Sequence, residues 1–258
     1  MSVLDHFNTK LFSEIEALSK KHGLQIFKKL KKEKDLSNAI SIVTEAHFGL
    51  FFDNKCTRLV YDQKIFPSSK RKPDWFININ GQDIIVEVVL INPSEEDKYK
   101  IDMDRSAILN SQKDYPGIPM KVNFHATTIK PEKLYGNNGS LQVKTKKYGE
   151  LVESSNYAFI ICISADVLSG LDAIHLFNSL YGYPVEIVGE HNFDDYCIGV
   201  SCHDLSNALY YENEQIKKNL SGVLLKAQDD YIYFHNFFCG NRLNEDNTEW
   251  LRQLQFNA

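Results

Sequence analysis

The 258-residue sequence predicts one α/β domain built on a mixed sheet. Asn80-Gly81 stands between two apolar runs and is the strongest short signal for a two-residue hairpin, because both central positions need positive φ. Residues 157–163 form a continuous apolar run, the pattern of a central strand buried on both faces. Leu4, Phe7, Leu11, Ile15 and Leu18 recur at helical spacing, so helices and strands share one chain without a linker or a repeat between them.

Taken in order, residues 3–20 and 24–32 read as two helices, an N-terminal segment over 1–35 that packs on the body or on a partner subunit. Residues 36–52 predict a third helix, with Ser37 as its N-cap and Asp53-Asn54 at its end. It places Glu45 among Ile42, Ala46, Phe48 and Gly49, a half-buried setting. Residues 58–62 predict a strand, 67–70 a loop, and 73–90 the hairpin. Residues 92–138 form a long insertion, with a helix near 103–112 and a strand near 120–128. A helix over 140–154 carries Lys144, Lys146 and Lys147 near its start and leads into the 157–163 strand. A short helix at 172–180, a largely polar helical stretch at 205–219 and a closing hairpin at 223–225 and 231–234 complete the body domain, 36–258.

Composition is that of an ordinary globular protein, with no apolar run of membrane-spanning length. The start lacks the basic-then-apolar layout of a signal peptide, so a cytoplasmic location without a membrane partner is expected. Five scattered cysteines imply no disulfide framework. Cys197, Cys202 and His203 lack the second close pair that a zinc site needs. A net charge of −5 argues against coating nucleic acid non-specifically but leaves room for a local basic groove. The 28–34 lysines read as a solvated helix face, whereas Lys70, Arg71 and Lys72 abut Asp74. The aromatics of 231–238 read as core rather than as a base-stacking platform. The histidines show no metalloprotease spacing, and no phosphate-binding Gly-Lys loop occurs.

The hairpin register supplies the chemistry. With Asn80-Gly81 as the turn, Ile79 faces Gln82 and Phe76 faces Ile85, so Asp74 falls opposite Glu87. Directly opposed residues have Cβ atoms only ~5 Å apart, and like charges there repel. A cation between the two carboxylates removes the conflict. The competing reading makes Asp74 a turn residue and Glu87 half of a salt bridge to Lys72 or Arg71. Against it, Glu87 lies amid Ile84, Ile85, Val86, Val88 and Val89, where an unpaired carboxylate is costly.

Pro73-Asp74, followed thirteen residues on by Glu87 within an apolar strand, resembles the PD-(D/E)XK nuclease superfamily, and Glu45 matches the helix glutamate common there. The resemblance covers residues 36–165 and implies a restriction endonuclease-like three-layer α/β/α core. It further implies that Asp74 and Glu87 bind Mg²⁺, with Mn²⁺ as substitute, and that the protein cleaves nucleic acid, DNA before RNA, as a homodimer. Defence against foreign DNA follows from the family's tendency. The motif departs at Val89, where the family has a lysine. Lys72 falls opposite Val89 in the same register and is the first replacement, with Lys144 and Lys147 as second choices. Without a replacement, the fold serves as a binding or interaction module.

Overall fold

A computed structural model describes residues 7–66, 71–91, 134–136, 138–165, 171, 173–189, 198–227 and 230–253. Three helices open the chain: α1 (Thr9–His22), α2 (Ile26–Lys32) and α3 (Leu36–Asp53). A six-stranded sheet follows, formed by β1 (Arg58–Tyr61), β2 (Trp75–Ile79), β3 (Gln82–Ile91), β4 (Ala158–Ala165), β7 (Gly222–Ala227) and β8 (Asp230–His235), in the spatial order β1-β2-β3-β4-β7-β8. The pairs β3–β4 and β4–β7 are parallel and the other three are antiparallel, so the sheet is mixed. Helix α4 (Ser140–Ser154) lies between β3 and β4 in the chain, and α5 (Ala173–Tyr181), α6 (Leu209–Glu212) and α7 (Glu214–Asn219) precede β7. A separate hairpin pairs β5 (Tyr183–Gly189) with β6 (Ile198–Asp204), and α8 (Glu245–Gln253) closes the described chain.

Strand alternation divides the core into two layers. Ile84, Val86 and Val88 of β3 face α1, α2 and α3 through Ile15, Leu18, Ile26, Leu30, Ala39, Ile42 and Phe48. Ile85, Val89 and Ile91 face the other way, onto Leu141, Tyr148 and Val152 of α4 with Leu176, Tyr210 and Ile216 behind them. Helices therefore cover both faces of the sheet. The N-terminal pair packs on the body, with Leu24 joining it in the same apolar cluster as the sheet.

Asn80 and Gly81 both take positive φ, 49° and 75°, as the hairpin reading requires. Ile79 pairs with Gln82 and Phe76 with Ile85, which is the expected register. Pairing ends at Trp75 opposite Val86, one step short of Asp74. The N-cap of α3 is Asp35, whose carboxylate accepts from the Asn38 N–H at 2.9 Å, and not Ser37. The hairpin β5–β6 and helix α8 have no counterpart in the sequence reading. The helix and strand expected within 92–138, the 67–70 loop, and the side chains of Cys197, Cys202 and His203 lie outside the described residues. Among the described residues, no helix is long and apolar enough to cross a membrane.

Gly49 sets the seat of α3. A Cβ there would stand 2.4 Å from the Trp75 ring, which is wholly buried and has no room to yield. The same indole donates to the Glu45 carbonyl at 2.9 Å, so α3 is fastened to the start of β2. Alanine at position 49 gains about 1 kcal/mol of helix propensity but overpacks this contact at a cost of about 1–3 kcal/mol. The clash outweighs the propensity: chemical denaturation should find Gly49→Ala less stable than the wild type.

Candidate active site

Glu87 is fully buried, at 0% exposure, on the face of β3 that meets α4. The helix supplies its partners. Lys147 Nζ lies 2.9 Å from Oε1, and Lys144 donates to Oε2. The Tyr148 hydroxyl stands 2.5 Å from Oε1 and 2.9 Å from the Lys72 carbonyl, and its single proton serves one acceptor at a time. Lys144, Lys147 and Tyr148 occupy i, i+3 and i+4, a spacing that sends all three to one helical face. That spacing is readable in the sequence for all three, but Tyr148 reads there as one of the helix's apolar residues and not as a donor to Glu87.

Asp74 sits just before β2, and its carboxylate turns toward β3 instead of forming a strand pair with Glu87. Oδ2 accepts the Val88 N–H at 2.7 Å. Burial, the Glu87 charge and the Glu45 charge raise its pKa to about 7, with Lys144 and the Val88 N–H acting in the opposite direction. Glu45 reaches the same region from α3. Its Oε2 accepts from the Tyr61 hydroxyl at 2.5 Å, and burial raises its pKa against the pull of Tyr61 and Lys29. Burial disfavours the Lys144 ammonium, yet Glu87, Asp74 and Glu45 outweigh that and hold its pKa above the ordinary lysine value. Burial and the Glu87 charge push the Tyr148 phenol upward.

The sequence-predicted acids Glu45, Asp74 and Glu87 thus share one electrostatic neighbourhood. Lys72 does not join them as expected. Its side chain is exposed, pairing stops before the rung that would set it against Val89, and it offers the site only its carbonyl. Val89 is buried apolar core. The ammoniums on Glu87 come from the helix, at 29% and 38% exposure for Lys144 and Lys147.

Two carboxylates are hard oxygen donors, suited in kind to Mg²⁺ or Mn²⁺. Among the described residues the Asp74 carboxylate accepts from the Val88 N–H alone, which leaves acceptor capacity open, whereas Glu87 is already engaged at both oxygens. A cation on Glu87 therefore competes with a lysine. Among the described residues no three His, Cys, Asp or Glu side chains form a metal cluster. Comparison with protein-family models, characterised proteins and solved structures returns no match.

The two lysines compensate a charge that has no access to water. Replacing both, as Lys144→Met with Lys147→Met, should cost about 3–5 kcal/mol in denaturant unfolding, and adding Glu87→Gln should recover most of it. Asp74 predicts a pH dependence of opposite sense to an ordinary ion-paired carboxylate. Between pH ~4 and ~7 the folded protein retains a proton that the unfolded chain has released, so stability falls as pH rises through that window. Asp74→Asn, which keeps an acceptor for Val88, should flatten this slope in melts run without divalent cations.

Proposed function

We propose that this protein is a Mg²⁺-dependent phosphodiesterase of the restriction endonuclease-like fold that cleaves nucleic acid, with Asp74 and Glu87 as the cation-holding residues. The observation that carries the reading is the pair of ammoniums, Lys144 and Lys147, at the buried Glu87 carboxylate, where they compensate for the absence of a lysine at Val89. The mixed six-stranded sheet with helices on both faces is compatible with that fold. The preference for DNA and for homodimeric action rests on the motif resemblance alone.

Mg²⁺, when bound, supplies Lewis acidity toward a phosphate oxygen and acidifies water. The remaining work belongs to the side chains. Asp74 is held by a backbone N–H, which fixes its carboxylate against the strand. Its pKa is raised by burial first and by the Glu87 and Glu45 charges second, and a divalent cation would oppose both effects. Lys144 and Lys147 are partly exposed, and with Glu87 committed elsewhere their donors turn to the phosphate and to the charge that builds on the leaving oxygen. Tyr148 donates to Glu87 and, once a cation takes that oxygen, has the Lys72 carbonyl as its other acceptor.

A second reading is favoured by one observation: both Glu87 oxygens already carry charged or phenolic donors, as in a purely structural ion pair. The chain then keeps the fold and binds nucleic acid or protein without cutting. Incubation of the protein with plasmid DNA, linear duplex and single strands in Mg²⁺ or Mn²⁺ separates the two. The nuclease reading expects cleavage that chelation stops and that Asp74→Asn and Glu87→Gln each abolish while melting stays cooperative. Lys144→Met should lower the rate by about 100-fold. Cleavage that survives both carboxylate changes, or no cleavage by the wild type, rejects it.

A further inference from the structure

Lys29 belongs to the lysine run expected on a solvated face of α2, yet its ammonium turns inward. Nζ lies 3.0 Å from the Tyr61 hydroxyl oxygen, 3.5 Å from Asp62 and 4.0 Å from Glu45 Oε2, and 5.2 Å from the Tyr61 ring centroid. Tyr61, on β1, is buried, whereas the Lys29 side chain is 44% exposed. An ion pair so open to water contributes little by itself. Its consequence lies in direction. A lysine ammonium only donates, so the Tyr61 oxygen must accept from it, and the single phenolic proton is left for Glu45 Oε2 at 2.5 Å. The chain of bonds runs one way, from Lys29 through Tyr61 to a Glu45 oxygen that can only accept.

We propose that Lys29 is a positioning residue of the acidic site: through Tyr61 it fixes Glu45, as a carboxylate, beside Asp74, and so makes the N-terminal helical pair part of the working site. The placement of Glu45 stands by itself; what the site then does rests on the nuclease reading. The groups that act on Glu45 come from several elements, Lys29 from α2, Tyr61 from β1, Asp62 just after it and Lys144 from α4, and Glu45 in turn acts on Asp74 before β2. Burial favours the neutral acid, Asp62 acts in the same sense, and Tyr61, Lys29 and Lys144 oppose them. Lys29 alone among the three opposing groups also dictates where the phenolic proton points.

The test uses the full chain, metal-free, with ¹³C-labelled glutamate, and follows the Glu45 side-chain carboxyl resonance against pH, assigned with Glu45→Gln. In Lys29→Met and in Tyr61→Phe the midpoint of that resonance should move upward by about one pH unit, while Lys29→Arg, which keeps charge and donors, should restore the wild-type midpoint. Thermal melts establish that each variant is folded. Because Tyr61 bonds Glu45 directly, the route is read from the double variant. The relay predicts that Lys29→Met adds little shift in the Tyr61→Phe background. A purely through-space role gives the same added shift there as in the wild type, and a merely structural role leaves every midpoint in place; either of these last two results overturns the proposal. Mn²⁺ binding, read by electron paramagnetic resonance, supplies a second readout. Loss of a cation near the site would by simple repulsion tighten Mn²⁺ binding, whereas loss of a positioned Glu45 should weaken it several-fold in Lys29→Met. Tighter binding in that variant counts against the proposal. A wild type that binds no Mn²⁺ while the Glu45 midpoint still shifts defeats the nuclease reading and leaves the positioning role standing.

Discussion

A carboxylate without solvent contact, Glu87, governs how the halves of this fold meet. Taking a charged group of that size out of water costs several kcal/mol even after relaxation, and its strand neighbours are apolar. Compensation must come from across the layer, so α4 is obliged to present Lys144, Lys147 and Tyr148 at one height on the sheet. The Lys72 carbonyl, 2.9 Å from the Tyr148 oxygen, is the alternative acceptor for that one proton. The position of Asp74 follows from its bond to the Val88 N–H. One ionic contact thus fixes a helix against a strand.

Charge balance gives the site its character. The protein as a whole carries an excess of acid, −5. Locally, Glu45, Asp74, Asp62 and Glu87 are met by Lys29, Lys144 and Lys147. The compensation is uneven. Glu87 has two ammoniums, Glu45 has a phenol backed by one, and the Asp74 carboxylate has a backbone N–H and the more distant Lys144 charge, so burial and the neighbouring acids leave Asp74 the least compensated of the three. On the proposed reading, an undercompensated Asp74 near two other acids suits a divalent cation.

The hairpin was legible because Asn80-Gly81 demands a left-handed backbone that few residue pairs tolerate, and the turn then dictates the register by counting. Counting fails one residue past the ladder, where Pro73 and Asp74 leave the strand, and this is why Lys72 was misplaced. Periodicity marked which face of α2 is apolar, but it holds no information on which neighbour a lysine at the edge of that face will meet, so Lys29 passed as solvated. Helix α8 escaped because its apolar content is confined largely to Trp250 and Leu251; it is held instead by Asn247, which bonds the Ile79 carbonyl and Gln82 at 3.1 Å each. The β5–β6 hairpin begins at Tyr183-Pro184, a pair that reads as the end of a helix.

The most direct test of the central claim is a crystal structure of the protein grown with Mn²⁺ and a short DNA duplex, with the anomalous signal of manganese used to place the ion. The account predicts an anomalous peak between the Asp74 and Glu87 carboxylates, with Lys144 or Lys147 withdrawn from Glu87 toward a phosphate. Manganese bound elsewhere, with both lysines still on Glu87, would contradict it and leave the contact a structural ion pair.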